Sequence, residues 1–171
     1  NGRIYAGSSG MLGYLEADES GEMQYRSLME FIRPEDRQFN YVWSVCATPE
    51  GIYFQANERL FRFHPPQPGA ADREWRVDVW RPQSDYGYAF WVDQTLYVQQ
   101  YGIGLMKMES DSLVLLPGGG QFADDRIHVM LDQQNGSIHV SIEDDGTGFH
   151  VNEVLSEESG RRNLGIETLR Q

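Results

Sequence analysis

One cysteine, Cys46, is all this chain has. No internal disulfide can form, and the redox compartment stays open. No apolar run approaches the ~20 residues of a membrane-spanning helix, and no signal peptide is visible. Basic residues are scarce: 14 Lys and Arg stand against 26 Asp and Glu, a formal net charge of −12. That deficit speaks against a nucleic-acid backbone or an anionic membrane surface as partner. It does not disfavour a nucleotide, which backbone N–H groups and a metal ion can hold locally. An initiator Met is missing too. The start at Asn1 is what a piece cut or processed from something longer would have. What is present is 40% hydrophobic and 12% aromatic, as in a β-rich globular protein. A chain of 171 residues can bury one core, or one domain plus a piece of another.

Short alternating or aromatic-rich runs dominate from Ile4 to Met130 and read as strands. Two stretches align. One runs VWSVCA, GIYFQAN, RLFRFHP, EWRVDVW; the other runs YAFWVD, TLYVQQ, IGLMKME, SLVLLPG. Ile52 then matches Leu96 and Leu60 matches Leu105, a period of about 45 residues. Turn residues sit between the runs, at Thr48-Pro49-Glu50-Gly51, at Asn57 and at Ser110-Asp111. A weaker copy (RIYAGSSG, MLGYLEAD, MQYRSL) opens the chain and lacks its first strand. DRIHVML reads as the first strand of a further copy. Gly/Pro/Asp-rich QPGAAD and PGGGQFADD separate the copies.

A four-stranded unit repeated at this spacing is the pattern of a β-propeller blade. One meander cannot bury both of its faces, so neighbouring blades stack and hide the alternating apolar residues. VWSVCA and YAFWVD are nearly continuously apolar and are expected to be buried on both faces. The expected fold is mostly β: a partial β-propeller of about three four-stranded blades over residues 1–131. About three blades cannot close a ring, so self-association through open blade edges is an expectation.

The C-terminal part reads differently. Asn135-Gly136 is a hairpin signal. SIHVSIED then places Ile138, Val140 and Ile142 on one face, and Asp144-Asp145-Gly146-Thr147-Gly148-Phe149 follows. DRIHVML and SIHVSIED are expected to pair antiparallel through Gln133-Gln134-Asn135-Gly136, completing the last blade. A polar stretch leads to Asn163-Leu164-Gly165-Ile166 and ETLRQ, which reads as a helix start.

The first part resembles the two-component regulator propeller, the sensor repeat ahead of many bacterial histidine kinases. Gly51-Ile52-Tyr53-Phe54, Leu60-Phe61-Arg62-Phe63 and Tyr101-Gly102-Ile103-Gly104-Leu105 carry that resemblance. Residues 132–171 resemble the C-terminal part of a histidine-kinase ATP-binding domain, a strand–loop–helix remnant of an α/β sandwich. The resemblance implies ATP and magnesium as cofactors. It implies that Asp144 accepts a hydrogen bond from the adenine amino group, and that Gly146 and Gly148 let the backbone pass close to the base. Gly165 matches half of a second glycine box, with Asn163 in place of its first glycine. The family's magnesium-binding Asn motif and phospho-accepting His have no match here. The chain is therefore expected to be a fragment of a two-component sensor histidine kinase without kinase activity alone. The parent would sit in a bacterial inner membrane with an external propeller and a cytoplasmic kinase. It would sense an unknown small-molecule or protein signal and act on a response regulator.

Other readings stay open. DDGTGF also suits a plain turn; a calcium loop fits poorly, because Gly146 to Gly148 supply few side-chain oxygens. The chain could be a ligand- or protein-binding module whose C-terminal stretch is only structural, or a non-functional gene remnant. Trp43, Tyr53, Phe54, Trp75, Trp80 and Trp91 are expected in the core rather than around a ligand. Cys46 is expected to be a small buried apolar residue. No Ser/His/Asp or Cys/His set supports a hydrolase.

Overall fold

Tight turns organise the chain. Ser110 and Asp111 both take positive φ, 47° and 61°, and Asp93 and Gln94 take 46° and 59°. These are the values that two-residue hairpin turns demand. Thr48 Oγ1 donates to the Gly51 carbonyl at 2.9 Å and accepts from the Glu50 N–H at 3.2 Å, closing another turn. Gly51 itself has φ of 147°, and a Cβ there would lie 2.6 Å from the Phe63 carbonyl oxygen.

The computed structural model describes residues 2–66 and 75–124, and the backbone of 127–134 and 137–144. The first sheet holds β1 (Ile4–Ser8), β2 (Met11–Ala17) and β3 (Met23–Ser27). Two short 3₁₀ turns, Met29–Phe31 and Pro34–Asp36, lead to the second sheet. It holds β4 (Val42–Thr48), β5 (Gly51–Ala56), β6 (Leu60–His64) and β7 (Arg76–Trp80), in that order, so QPGAAD, expected to separate copies, falls in the chain between two strands of one sheet. The third holds β8 (Tyr86–Val92), β9 (Thr95–Gln100), β10 (Gly104–Glu109) and β11 (Ser112–Leu115). All neighbouring strands are antiparallel. The described residues hold no α-helix.

β12 (Ile127–Gln134) and β13 (Ser137–Asp144) pair antiparallel, from Ile127↔Asp144 to Gln134↔Ser137. This is the expected ladder, but it forms a two-stranded sheet of its own rather than finishing the third sheet. β12 lies beside β8. The first strands thus meet in chain order: β4 touches β8, and β8 touches β12.

The repeat is visible in the pairing register. Gln55 faces Leu60 across β5–β6, Gln99 faces Leu105 across β9–β10, and Gly7 faces Leu12 across β1–β2. β1 is therefore the counterpart of β5 and β9. Among the described residues the first sheet holds three strands, with no counterpart of β4 and β8.

Two apolar cores follow from the stacking. Leu12, Tyr14, Leu28, Ile52, Phe54 and Phe61 fill one, between the first and second sheets. Tyr53, Leu60, Tyr86, Ala89, Leu96 and Val98 fill the other, between the second and third. The second sheet is covered on both faces, so alternate residues of β5 serve different cores and the whole strand is buried. Each fully buried Phe or Leu there contributes about 1.5–3 kcal/mol. The expectation of doubly buried first strands is corrected for β4, which alternates between half-buried and exposed, with Trp43 at 51% and Val45 at 37% exposure, whereas β8 is buried at Tyr86, Gly87 and Ala89 and opens only at its Val92 end. The doubly buried strands are instead β5 and β6.

Candidate functional site

A charged side chain in the middle of a buried strand must be neutralised where it stands. Arg62 does this on β6, at 7% exposure. Its Nε and Nη2 donate to Asp78 Oδ2 at 3.0 and 2.6 Å. Nη2 also lies 2.7 Å from Asp111 Oδ1, across in the third sheet. Nη1 donates to the Tyr53 hydroxyl at 3.3 Å and lies 3.7 Å from Glu50 Oε2. The guanidinium sits 5.8 Å from the Tyr53 ring centroid and 5.2 Å from that of Trp80. Those two rings stack on each other at 6.3 Å. The Trp80 Nε1–H donates to the Asp111 carbonyl at 2.9 Å. His64 Nε2 lies 2.7 Å from Asp78 Oδ2.

The electrostatics follow from these contacts. Burial alone would loosen the Arg62 proton, but the bonds to Asp78, Tyr53 and Asp111 outweigh it and hold the group above its ordinary value. Burial pushes the Tyr53 phenol up to about 12, with Arg62 opposing. For Asp78, burial works against ionisation, yet His64 and Arg62 win and keep its pKa below the ordinary value. Arg62, Tyr53 and Asp78 therefore stay in one protonation state near neutrality. The node can hold charge and shape; it contains no activated nucleophile.

A second ion pair closes the wall beside it. Asp36, at 1% exposure, accepts from Arg59 Nε at 2.9 Å and from Arg81 Nε and Nη2 at 2.9 and 2.6 Å. Between the two pairs runs a groove of about 420 Å³, lined by Phe31, Arg33, Arg62, Trp80, Arg81 and Asp111 among others. Its ionic groups are of both signs, so it suits a small polar or zwitterionic ligand better than an apolar one.

Of the nucleotide residues expected from the sequence, Asp144 alone is among the described residues. Asp144 ends β13, opposite Ile127. Gly146, Gly148, Gly165 and the ETLRQ segment lie outside the described residues. The aromatics divide: Tyr53, Phe54 and Trp75 are core, as expected. Trp80 and Trp91 pack, half-buried, against the second core, Trp80 also lining the groove, while Trp43 is half exposed. Cys46 is half-buried, and burial raises its thiol pKa. No cluster of His, Cys, Asp and Glu among the described residues could hold a metal ion.

Asp36, Asp78 and Arg81 carry no sequence motif. The one available signal was Arg62 inside LFRFH, a charge at the centre of an apolar strand. No protein-family model, curated protein or solved structure matches this chain.

Proposed function

We propose that this chain is the sensing part of a two-component sensor histidine kinase, joined to a remnant of the kinase ATP-binding domain, and that it has no kinase activity by itself. The repeat carries the reading. Meanders recur in one register, and their first strands β4, β8 and β12 sit side by side. Adjacent first strands are what a propeller puts around its axis. Within this reading ATP and magnesium would be met by Asp144, Gly146, Gly148 and Gly165. The sensed signal would be a small molecule or protein, and the parent's target a response regulator. An inner-membrane parent belongs to the same proposal. No helix among the described residues is long and apolar enough to cross a membrane.

The test uses the purified chain with a fluorescent ATP analogue and magnesium, beside Asp144→Asn. Binding that the variant loses would extend the reading to nucleotide chemistry. Phosphohistidine formed from ATP by the chain alone would overturn it.

The groove at Arg62 favours a second reading, a plain ligand-binding module. A saturable small-molecule ligand without any nucleotide binding would support that one.

A further inference from the structure

We propose that the groove beside β7 binds a short extended peptide with both termini free, its carboxylate at Arg33 and Arg81 and its ammonium at Asp78 and Asp111. This deepens the ligand-binding reading of the groove and rests on it. Charge is shared unevenly along the groove. At one end a single carboxylate, Asp36, serves both Arg59 and Arg81. Arg33, at the head of the Pro34–Asp36 turn, lines the groove too and has no carboxylate partner among the described residues. Asp36 is buried while the Arg81 side chain is half exposed, so the surplus positive charge faces the groove. At the other end the sharing is reversed. One guanidinium, Arg62, serves both Asp78 and Asp111. The Arg62 bonds and the His64 contact all fall on Asp78 Oδ2, and Oδ1 accepts no hydrogen bond among the described residues. The Asp111 side chain is 70% exposed. A positive surplus at one end and a negative surplus at the other complement a ligand with separated opposite charges.

The strand between the two ends sets the ligand's length and backbone. Asp78 lies on β7 and Arg81 directly after it, about 10 Å apart along an extended chain. A free α-amino acid carries both charges on one carbon and cannot span that distance. An extended tripeptide can, at about 3.3–3.6 Å per residue. The groove, about 420 Å³, falls in the usual range for small-ligand sites, ~300–1,000 Å³. Every residue from Val77 to Arg81 lines it. Successive side chains of a strand point to opposite faces, so a groove that meets them all runs along the strand's edge. β7 is the outermost strand of its sheet, and that edge presents backbone N–H and C=O groups to the amides of an extended chain. The charges then set the direction: ammonium beside Asp78, carboxylate beside Arg81, parallel to β7.

The probe is trialanine, titrated into the purified chain and followed by calorimetry and by backbone amide NMR shifts. Saturable binding is expected, with shifts at Val77 to Arg81. Amidating its C-terminus or acetylating its N-terminus should each weaken binding at least about tenfold, since each deletes a charge-assisted contact. Arg33→Ala, which breaks no ion pair among the described residues, should weaken trialanine binding and leave the amidated peptide's affinity unchanged. Asp111→Asn should weaken trialanine binding and leave the acetylated peptide's affinity unchanged. Asn accepts the positive φ at 111, so the turn is kept. A variant that merely misfolded would lose every peptide alike. No binding of trialanine, or equal affinity for capped and uncapped peptides, would overturn the proposal. Shifts at Val77 to Arg81 with free alanine but not with trialanine would overturn the peptide assignment and leave the ligand-binding reading standing. That reading falls as well if none of these probes shifts those amides.

Discussion

Replacing Asp36 by alanine removes one carboxylate and strands two guanidinium groups. The carboxylate is 1% exposed, while the Arg59 and Arg81 side chains are 20% and 51% exposed. Three charge-assisted hydrogen bonds are lost. Breaking a fully buried pair costs about 3–5 kcal/mol, because an uncompensated charge is left behind. Here Arg81 can turn to solvent, and Arg59 keeps its 2.6 Å bond from Nη1 to the Glu58 carbonyl. The lower end, about 3 kcal/mol, is the expected loss. For a domain of this size that lowers Tm by roughly 6–12 °C. The consequence is not local: Asp36 sits in the link after the first sheet, Arg59 in a turn of the second, and Arg81 after β7. Urea unfolding followed by far-UV circular dichroism measures the loss at an unchanged m-value. Arg81→Met, which retains the Arg59 contact, should cost about 1 kcal/mol. A cost below about 0.5 kcal/mol for Asp36→Ala, the range of an ordinary surface substitution, would refute the claim that this pair ties the sheets together.

Gly51→Ala combines positive φ with a Cβ against the Phe63 carbonyl, and should destabilise by about 2–4 kcal/mol in the same assay. Asp18 is held down to about 2 by the Ser20 hydroxyl first, then by the Glu22 N–H and the Gln24 amide. Its folded pKa is depressed, so its stabilising effect is complete above the ordinary carboxylate value of about 4. It is lost as pH falls through about 2. A carboxyl NMR titration midpoint near 4 would contradict the turn geometry. Burial raises the Cys46 thiol, so at pH 8 it should react with a disulfide reagent at least about tenfold more slowly folded than in urea. Equal rates would mean that β4 opens readily.

Strand positions were written in alternation and turn chemistry. Ile52, Phe54 and Ala56 interleave with Tyr53 and Gln55, and the Ser110-Asp111 turn announces itself locally. The place of the first sheet in the repeat was legible too, because RIYAGSSG aligns with GIYFQAN, the second run of the next copy. Which strands would be covered on both sides was not legible. β4 is as apolar as β5, and apolarity is the same whether a second sheet lies over a strand or not. Only stacking decides that Phe54 is buried and Val45 open. The charged node escaped for a related reason. Arg62 meets Asp78 from the next strand and Asp111 from the next sheet, and Asp36 meets arginines 23 and 45 residues away. Spacing along the chain cannot encode such pairs. They exist because antiparallel pairing and face-to-face packing bring distant residues within hydrogen-bond reach, and a buried charge is tolerated only where they do.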